Sequence, residues 1–92
     1  MFSGLHPKYV DKTVSIDPPS IAAGSAANVD VTVSGLKAGM FVVAVPPSDL
    51  EAGLVPISVS VPADNTLRVR LYNPTAAAID GAAKNWTVRI YL

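Results

Sequence analysis

The stretch Met40-Phe41-Val42-Val43-Ala44-Val45, closed by Pro46-Pro47, decides how this chain reads. Apolar residues occupy both phases of it, whereas the other strand-like segments alternate apolar with polar. Gly39 opens the run, and two prolines, which have no N–H to give a ladder, close it. A short buried helix can show the same run, but six residues rich in Val and Phe between a Gly and a Pro-Pro favour a strand. Apolarity in both phases predicts a strand covered on both faces, at the centre of the fold.

Working outward, residues 28–34 alternate with Val29, Val31 and Val33 on one phase, and residues 35–39 turn the chain into the central strand. Earlier, Thr13-Val14-Ser15-Ile16-Asp17 alternates and stops at Pro18-Pro19, while residues 21–27 read as a loop or a weakly paired edge. On the other side, residues 48–53 have room for one helical turn, with Ser48 as cap, Glu51 as its capping-box partner and Gly53 as its stop. That turn would cover one end of the core with Leu50 and Leu54. Residues 55–61 form the next strand, placing Ile57, Val59 and Val61 on one face, with Pro56 marking an edge position or an unpaired first residue. After the turn Ala63-Asp64-Asn65, residues 66–72 put Leu67, Val69 and Leu71 inward and Arg68, Arg70 and Tyr72 outward. Asn73-Pro74 breaks this strand, residues 75–85 make a long Ala-rich connection, and residues 86–92 place Trp86, Val88, Ile90 and Leu92 on one face.

Short strands punctuated by turn signals, with no convincing helix, predict an all-β fold. The expected form is a small antiparallel β-sandwich, jelly-roll or Ig-like, of about six to eight strands. A parallel sheet is excluded because no connection offers a crossover helix. The sandwich is expected to occupy residues 13–92 as a single domain, preceded by an extended N-terminal arm over residues 1–12. Phe2, Leu5, Tyr9 and Val10 give that arm more apolar content than a solvated tail needs, which predicts docking on its own sheet or on a neighbour.

Composition narrows the function classes. The 92 residues contain no cysteine, half are apolar and only 15% are charged, against about 25% in an average domain. Seven basic residues balance seven acidic ones, which argues against electrostatic binding to nucleic acid or to an anionic membrane. No run approaches the ~18 apolar residues that span a bilayer, and residues 1–10 lack the apolar core of a secretory signal.

Catalytic patterns are missing as well. His6 is the sole histidine and lies in the predicted arm, away from any paired nucleophile. Asp49 and Glu51 read as a solvated pair, and Asp64 and Asp80 sit where turns favour Asp. No calcium loop or phosphate-cradling glycine loop occurs. The expectation is a protein that is not an enzyme and holds no cofactor or metal. The outward Arg68, Arg70 and Arg89, with Tyr72 and Tyr91, form the one charge cluster to weigh. If their strands are neighbours they share a sheet face. Such a face is read as a single-strand nucleic-acid platform, as arginines lying over the sheet and paired with Asp30 or another acid, or as a protein-interface patch.

The order of motifs resembles a family. Asp17-Pro18-Pro19 leads to Gly24 and an alternating Val strand ending at Gly35. Gly39-Met40-Phe41-Val42-Val43, Pro46-Pro47, Leu50 and Gly53-Leu54 follow. Then come Ala63-Asp64-Asn65-Thr66-Leu67, Arg70-Leu71-Tyr72-Asn73-Pro74-Thr75-Ala76-Ala77-Ala78-Ile79-Asp80 and a final Trp-x-Val strand. This order is similar to that of small structural proteins of tailed bacteriophages, found among head decoration (cement) proteins and as modules of other virion components. The similarity runs from about residue 13 to residue 92 and rests on turn and core residues. Where family members often carry Asp after the glycine, this chain has Met40.

The resemblance implies a virion structural protein without catalytic residues, made in the host cytoplasm and placed on the capsid surface. There it would bind the major capsid protein, with homo-oligomers on the lattice. The alternative it implies is a glycan- or protein-binding sandwich module of a tail or fibre. On either reading the expected protein-interface residues are Phe2, Leu5 and Tyr9 of the arm together with Arg68, Arg70, Tyr72, Arg89 and Tyr91.

Overall fold

The computed structural model describes residues 8–92. Within them lie eight strands and no helix: β1 (Tyr9–Ile16), β2 (Ser20–Ile21), β3 (Ser25–Thr32), β4 (Val42–Val45), β5 (Val55–Ala63), β6 (Thr66–Asn73), β7 (Ile79–Asp80) and β8 (Lys84–Tyr91). They pair as two three-stranded sheets, β1-β8-β4 and β3-β6-β5, and a short β2-β7 ribbon, antiparallel throughout. The chain is therefore a small antiparallel β-sandwich. Its pairings match the B-E-D and C-F-G order of an Ig-type sandwich, with the first strand standing where the last one would.

The central strand of each sheet carries the deepest side chains. Leu67, Val69 and Leu71 of β6 face Trp86, Val88 and Ile90 of β8, and all six are buried. Strict alternation produces this, because a one-residue slip on either strand would exchange these side chains for Arg68 and Arg70 or for Thr87 and Arg89. Val14, Ile16, Ile21, Val29, Val33, Leu36, Val42, Leu54 and Val61 complete the core. Two of its boundaries are closed by loops. Leu36, fully buried, plugs one end from the turn between β3 and β4. That turn is bound to the β5–β6 hairpin: Asn65 Oδ1 accepts from the Gly35 N–H at 3.0 Å and Asp64 Oδ1 from the Ala38 N–H at 3.0 Å. Asn65 itself has φ 61°, the left-handed conformation that Asn tolerates in such turns. At the neighbouring corner the Lys37 N–H lies 3.3 Å from the Met40 thioether, so sulfur stands as the acceptor in that turn.

Several expectations change. The run at residues 40–45 is not the centre of the fold. β8 takes the centre because it pairs on both sides, and among the described residues β4 lies at the sheet edge with one face bare. Val42 is buried, whereas Phe41 is 67% exposed, Val43 40% and Val45 54%. Residues 9–12, expected in the arm, belong to β1, which begins at Tyr9 and pairs with β8 along its whole length. Phe2 and Leu5 lie outside the described residues.

Residues 48–53 form turns rather than a helical turn, closed by bonds from Leu50 N to Pro47 O and from Leu54 N to Glu51 O, both 3.2 Å. Pro56 does mark an edge, but a bulge between Pro56 and Ser58 breaks the alternation of β5 and leaves Ile57 50% exposed instead of inward. Leu92, beyond the end of β8, is exposed. The connections at residues 21–27 and 75–85 hold more pairing than their composition suggested, namely the β2-β7 ribbon and the first residues of β3 and β8.

Glu51, expected to cap a helical turn, instead ties two loops together. Its Oε2 accepts from the Ala82 N–H at 3.1 Å and lies 3.0 Å from Lys84 Nζ, while Lys84 also donates to the Asp49 carbonyl. The Ala82 N–H, and then the Lys84 ammonium, hold the Glu51 carboxyl at about 2, well below its usual 4.5. A depressed pKa means that the bond stabilises the fold fully above the unfolded value and loses its effect as pH falls toward the folded one. Glu51→Gln is therefore expected to lower the melting temperature at pH 6, and the gap to the unmodified chain should close between pH 4.5 and pH 2. Thermal melts of both proteins across that range check it. A gap that stays constant down to pH 2 contradicts the loop tie.

Candidate functional site

Alternation along β8 sends Thr87, Arg89 and Tyr91 to the outer face of the first sheet. Register then decides their neighbours: Tyr9 lies opposite Tyr91 and Asp11 opposite Arg89 on β1, while Val43 lies opposite Arg89 and Val45 opposite Thr87 on β4. Phe41, just before β4, accepts the Tyr91 N–H on its carbonyl and joins the same face. The result is one contiguous surface of exposed apolar and aromatic side chains at the edge of the sandwich. A shallow depression of about 270 Å³ runs through it, lined by Asp11, Val43, Val45, Thr87, Arg89 and Tyr91.

The surface is held stiffly. Tyr91 packs at 5.9 Å from Tyr9 with rings tilted 51°, and at 5.3 Å from Phe41 with rings at 65°. Arg89 is fixed from two sides: its Nε and Nη2 donate to the Asp11 carboxylate at 2.8 and 2.9 Å, and its guanidinium carbon sits 3.9 Å from the Tyr9 ring centroid. This planar two-bond pairing, directly across the strands, lowers the Asp11 pKa and raises that of Arg89. The face therefore carries one positive and one negative charge locked on each other, with aromatic and branched side chains around them.

The arginines do not share a face. Arg68 and Arg70 belong to β6 and point from the second sheet, on the far side of the sandwich from Arg89. Arg68 makes a two-bond pair with Asp30 opposite it on β3, at 2.8 and 3.0 Å, and Arg70 donates to Asn28 at 2.8 Å. Tyr72 lies on that second face, opposite Ala26 and Val55. Of the expected interface residues, the fold thus unites Tyr9, Arg89 and Tyr91 on one sheet and places Arg68, Arg70 and Tyr72 on the other.

Phe41, Val43 and Val45, the most exposed apolar part of the first face, were absent from the expected set. Their signal was on the page in the two-phase apolarity of residues 40–45, which reads identically for a buried strand and for an edge strand with a sticky outer face. Among the described residues, no group of three or more His, Cys, Asp or Glu lies close enough to hold a metal ion. Comparison with family models, with curated proteins and with solved structures finds no match for this chain.

Proposed function

We propose that this chain is a structural, protein-docking module of a bacteriophage virion, acting as a capsid decoration protein that binds the major capsid protein through the outer face of its first sheet. One observation carries the reading: the exposed Tyr9, Phe41, Val43 and Val45 form, around the half-buried Tyr91, a continuous apolar face on a chain of zero net charge. Exposed apolar surface of this extent, in a small domain with the charges beside it already paired, is the composition of a contact surface: aromatic, depleted in free charge and rigid before binding. The resemblance of the motif order to phage structural proteins supplies the context. A domain without disulfides also gains stability from a lattice that binds only the folded state.

The purified protein is expected to add to undecorated capsids at a saturating, symmetry-related stoichiometry and to raise the temperature at which the shells disrupt. Val43→Glu, at an exposed position, should lower the affinity at least tenfold and leave the melting temperature of the free protein within a few degrees of the original. Quantitative binding to isolated shells checks both. The reading is lost if shells take up no protein, or if Val43→Glu binds as the unmodified chain does.

A glycan-binding module of a tail or fibre is the second reading, and the gathering of three aromatic rings on one face favours it. Their mutual tilts weigh on the other side, because edge-to-face rings present no flat platform for a sugar. A glycan that protects Tyr9 and Tyr91 in solution, with no uptake by shells, would reverse the order of the two readings.

A further inference from the structure

The side of the sandwich bounded by β4 and β5 is open. β4 pairs only with β8 and β5 only with β6 among the described residues, so two free strand edges flank a groove of about 220 Å³. Its lining is Ala44, Pro56, Ile57, Ser58, Val59, Val69 and Trp86, without a charged residue. The bulge at residues 56–58 interrupts the β5 wall of this groove and turns Ile57 outward at its rim. On the floor, Trp86 is 1% exposed, and its indole N–H is buried without an acceptor among the described residues. A buried donor left unpaired is costly. A water held there would rest on the free strand edges and on Ser58, the one polar side chain of the lining, and would leave the apolar lining uncovered. The groove instead fits a ligand that brings a carbonyl oxygen and apolar bulk together and lies along a strand edge. An extended, uncharged peptide does so.

This chain contains such a peptide. Met1-Phe2-Ser3-Gly4-Leu5-His6-Pro7 precedes the described residues, carries no acidic or basic side chain apart from His6, and supplies two large apolar ones, Phe2 and Leu5. Within one copy the distance from Lys8 to the groove is long for seven residues. Lys8 leaves the sheet beside Leu92, whose N–H bonds the Lys8 carbonyl at 2.9 Å. Trp86 lies toward the opposite end of β8, about 17 Å from Tyr91 at ~3.4 Å per residue, and β4 stands two strands from β1, about 10 Å across. Seven extended residues span at most about 25 Å, and a path of about 20 Å leaves only one or two of them to lie in the groove. We infer that the groove between β4 and β5 receives residues 1–7 of a second copy of this chain, with a backbone carbonyl of that segment accepting the Trp86 indole N–H and its apolar side chains covering Ile57 and Ala44. The inference is independent of which surface the module decorates.

Trp86 is the sole tryptophan, so its indole N–H resonance and its emission report on the groove directly. With the full-length chain, raising the concentration should produce association in sedimentation, a shift of the indole N–H signal and slower exchange of that proton with solvent, all with one midpoint. Leu5→Asp in the segment and Ile57→Arg at the groove rim should each weaken association at least tenfold. A synthetic peptide of residues 1–7 should then move the indole signal of the Leu5→Asp protein but not that of the Ile57→Arg protein. Val43→Glu, on the other face, should leave all of this unchanged. The inference is overturned if the indole signal does not change with concentration. It is equally overturned if Leu5→Asp shifts the signal at every concentration, which would mean packing within one copy, or if association survives Ile57→Arg.

Discussion

Val69→Asp is expected to lose about 3 kcal/mol or more of stability, a fall of at least ~12 °C in melting temperature for a domain of this size. Val69 is 1% exposed, sits in the middle of β6, and faces the core opposite β8. Its neighbours across the ladder, Val29 on β3 and Val59 on β5, offer no counter-charge, so a carboxylate there is either buried unpaired or protonated against its preference. Thr87→Asp is the paired control. Thr87 lies on the outward phase of β8, one residue from the fully buried Val88 and from Trp86, and the same charge there should cost under about 1 kcal/mol. Denaturant melts of the two variants, compared at constant slope, test the register of both central strands. Equal losses would mean that one strand is out of phase.

The second large effect is expected at Asn73, the one fully buried polar side chain among the described residues. Its amide nitrogen donates to the Ile21 carbonyl at 2.9 Å and to the Ala77 carbonyl at 2.8 Å. Its oxygen accepts from the Thr75 N–H at 2.9 Å and from the Thr75 hydroxyl at 2.6 Å. One side chain thereby joins β2, the end of β6 and the connection that leads to β7, and it does so with both of its donors and its acceptor in use. Asn73→Ala strands those backbone groups. At about 1–3 kcal/mol for each buried group left unpaired, and with water entering to satisfy some of them, a loss of about 3 kcal/mol is expected. Asn73→Asp should be no milder near neutral pH, because a carboxylate would face the two carbonyls that the amide now serves. Urea melts of both variants measure it, and a loss below about 1 kcal/mol for Asn73→Ala would show that the network holds without its centre.

Asn73 also shows what kind of information the residues carry by themselves. Asn-Pro reads as a strand break, which it is, but nothing in that dipeptide says that the amide turns inward to serve two carbonyls from separate loops. Glu51 behaves likewise. Its spacing from Ser48 suggested a local cap, and the partner it bonds is Ala82, distant in the chain and brought near by the β2-β7 corner. Local spacing predicts local partners: Glu51 bonds the distant Ala82 instead, and Asn73 adds the distant Ile21 carbonyl to its local bonds with Thr75 and Ala77.

What the residues alone determined is the inward face of each central strand. In β6 and β8 apolar side chains fall strictly on alternate positions, and since the side-chain period of a strand is two, burying one face leaves no second choice. The all-β class and the turns at Gly35, Gly39 and Asn65 follow from equally local causes. The identity of the central strands was decided only in three dimensions. Residues 40–45 are apolar in both phases, and a strand of that composition has the same sequence whether its second face is covered by its own chain or left bare. β8 won the centre because it pairs with both β1 and β4, and the apolar outer phase of β4, with no layer above it among the described residues, became the exposed face on which the proposed function rests. Alternation is a property of one strand, but coverage is a property of the packed neighbours, and among the described residues the packing stops at two sheets and a short ribbon.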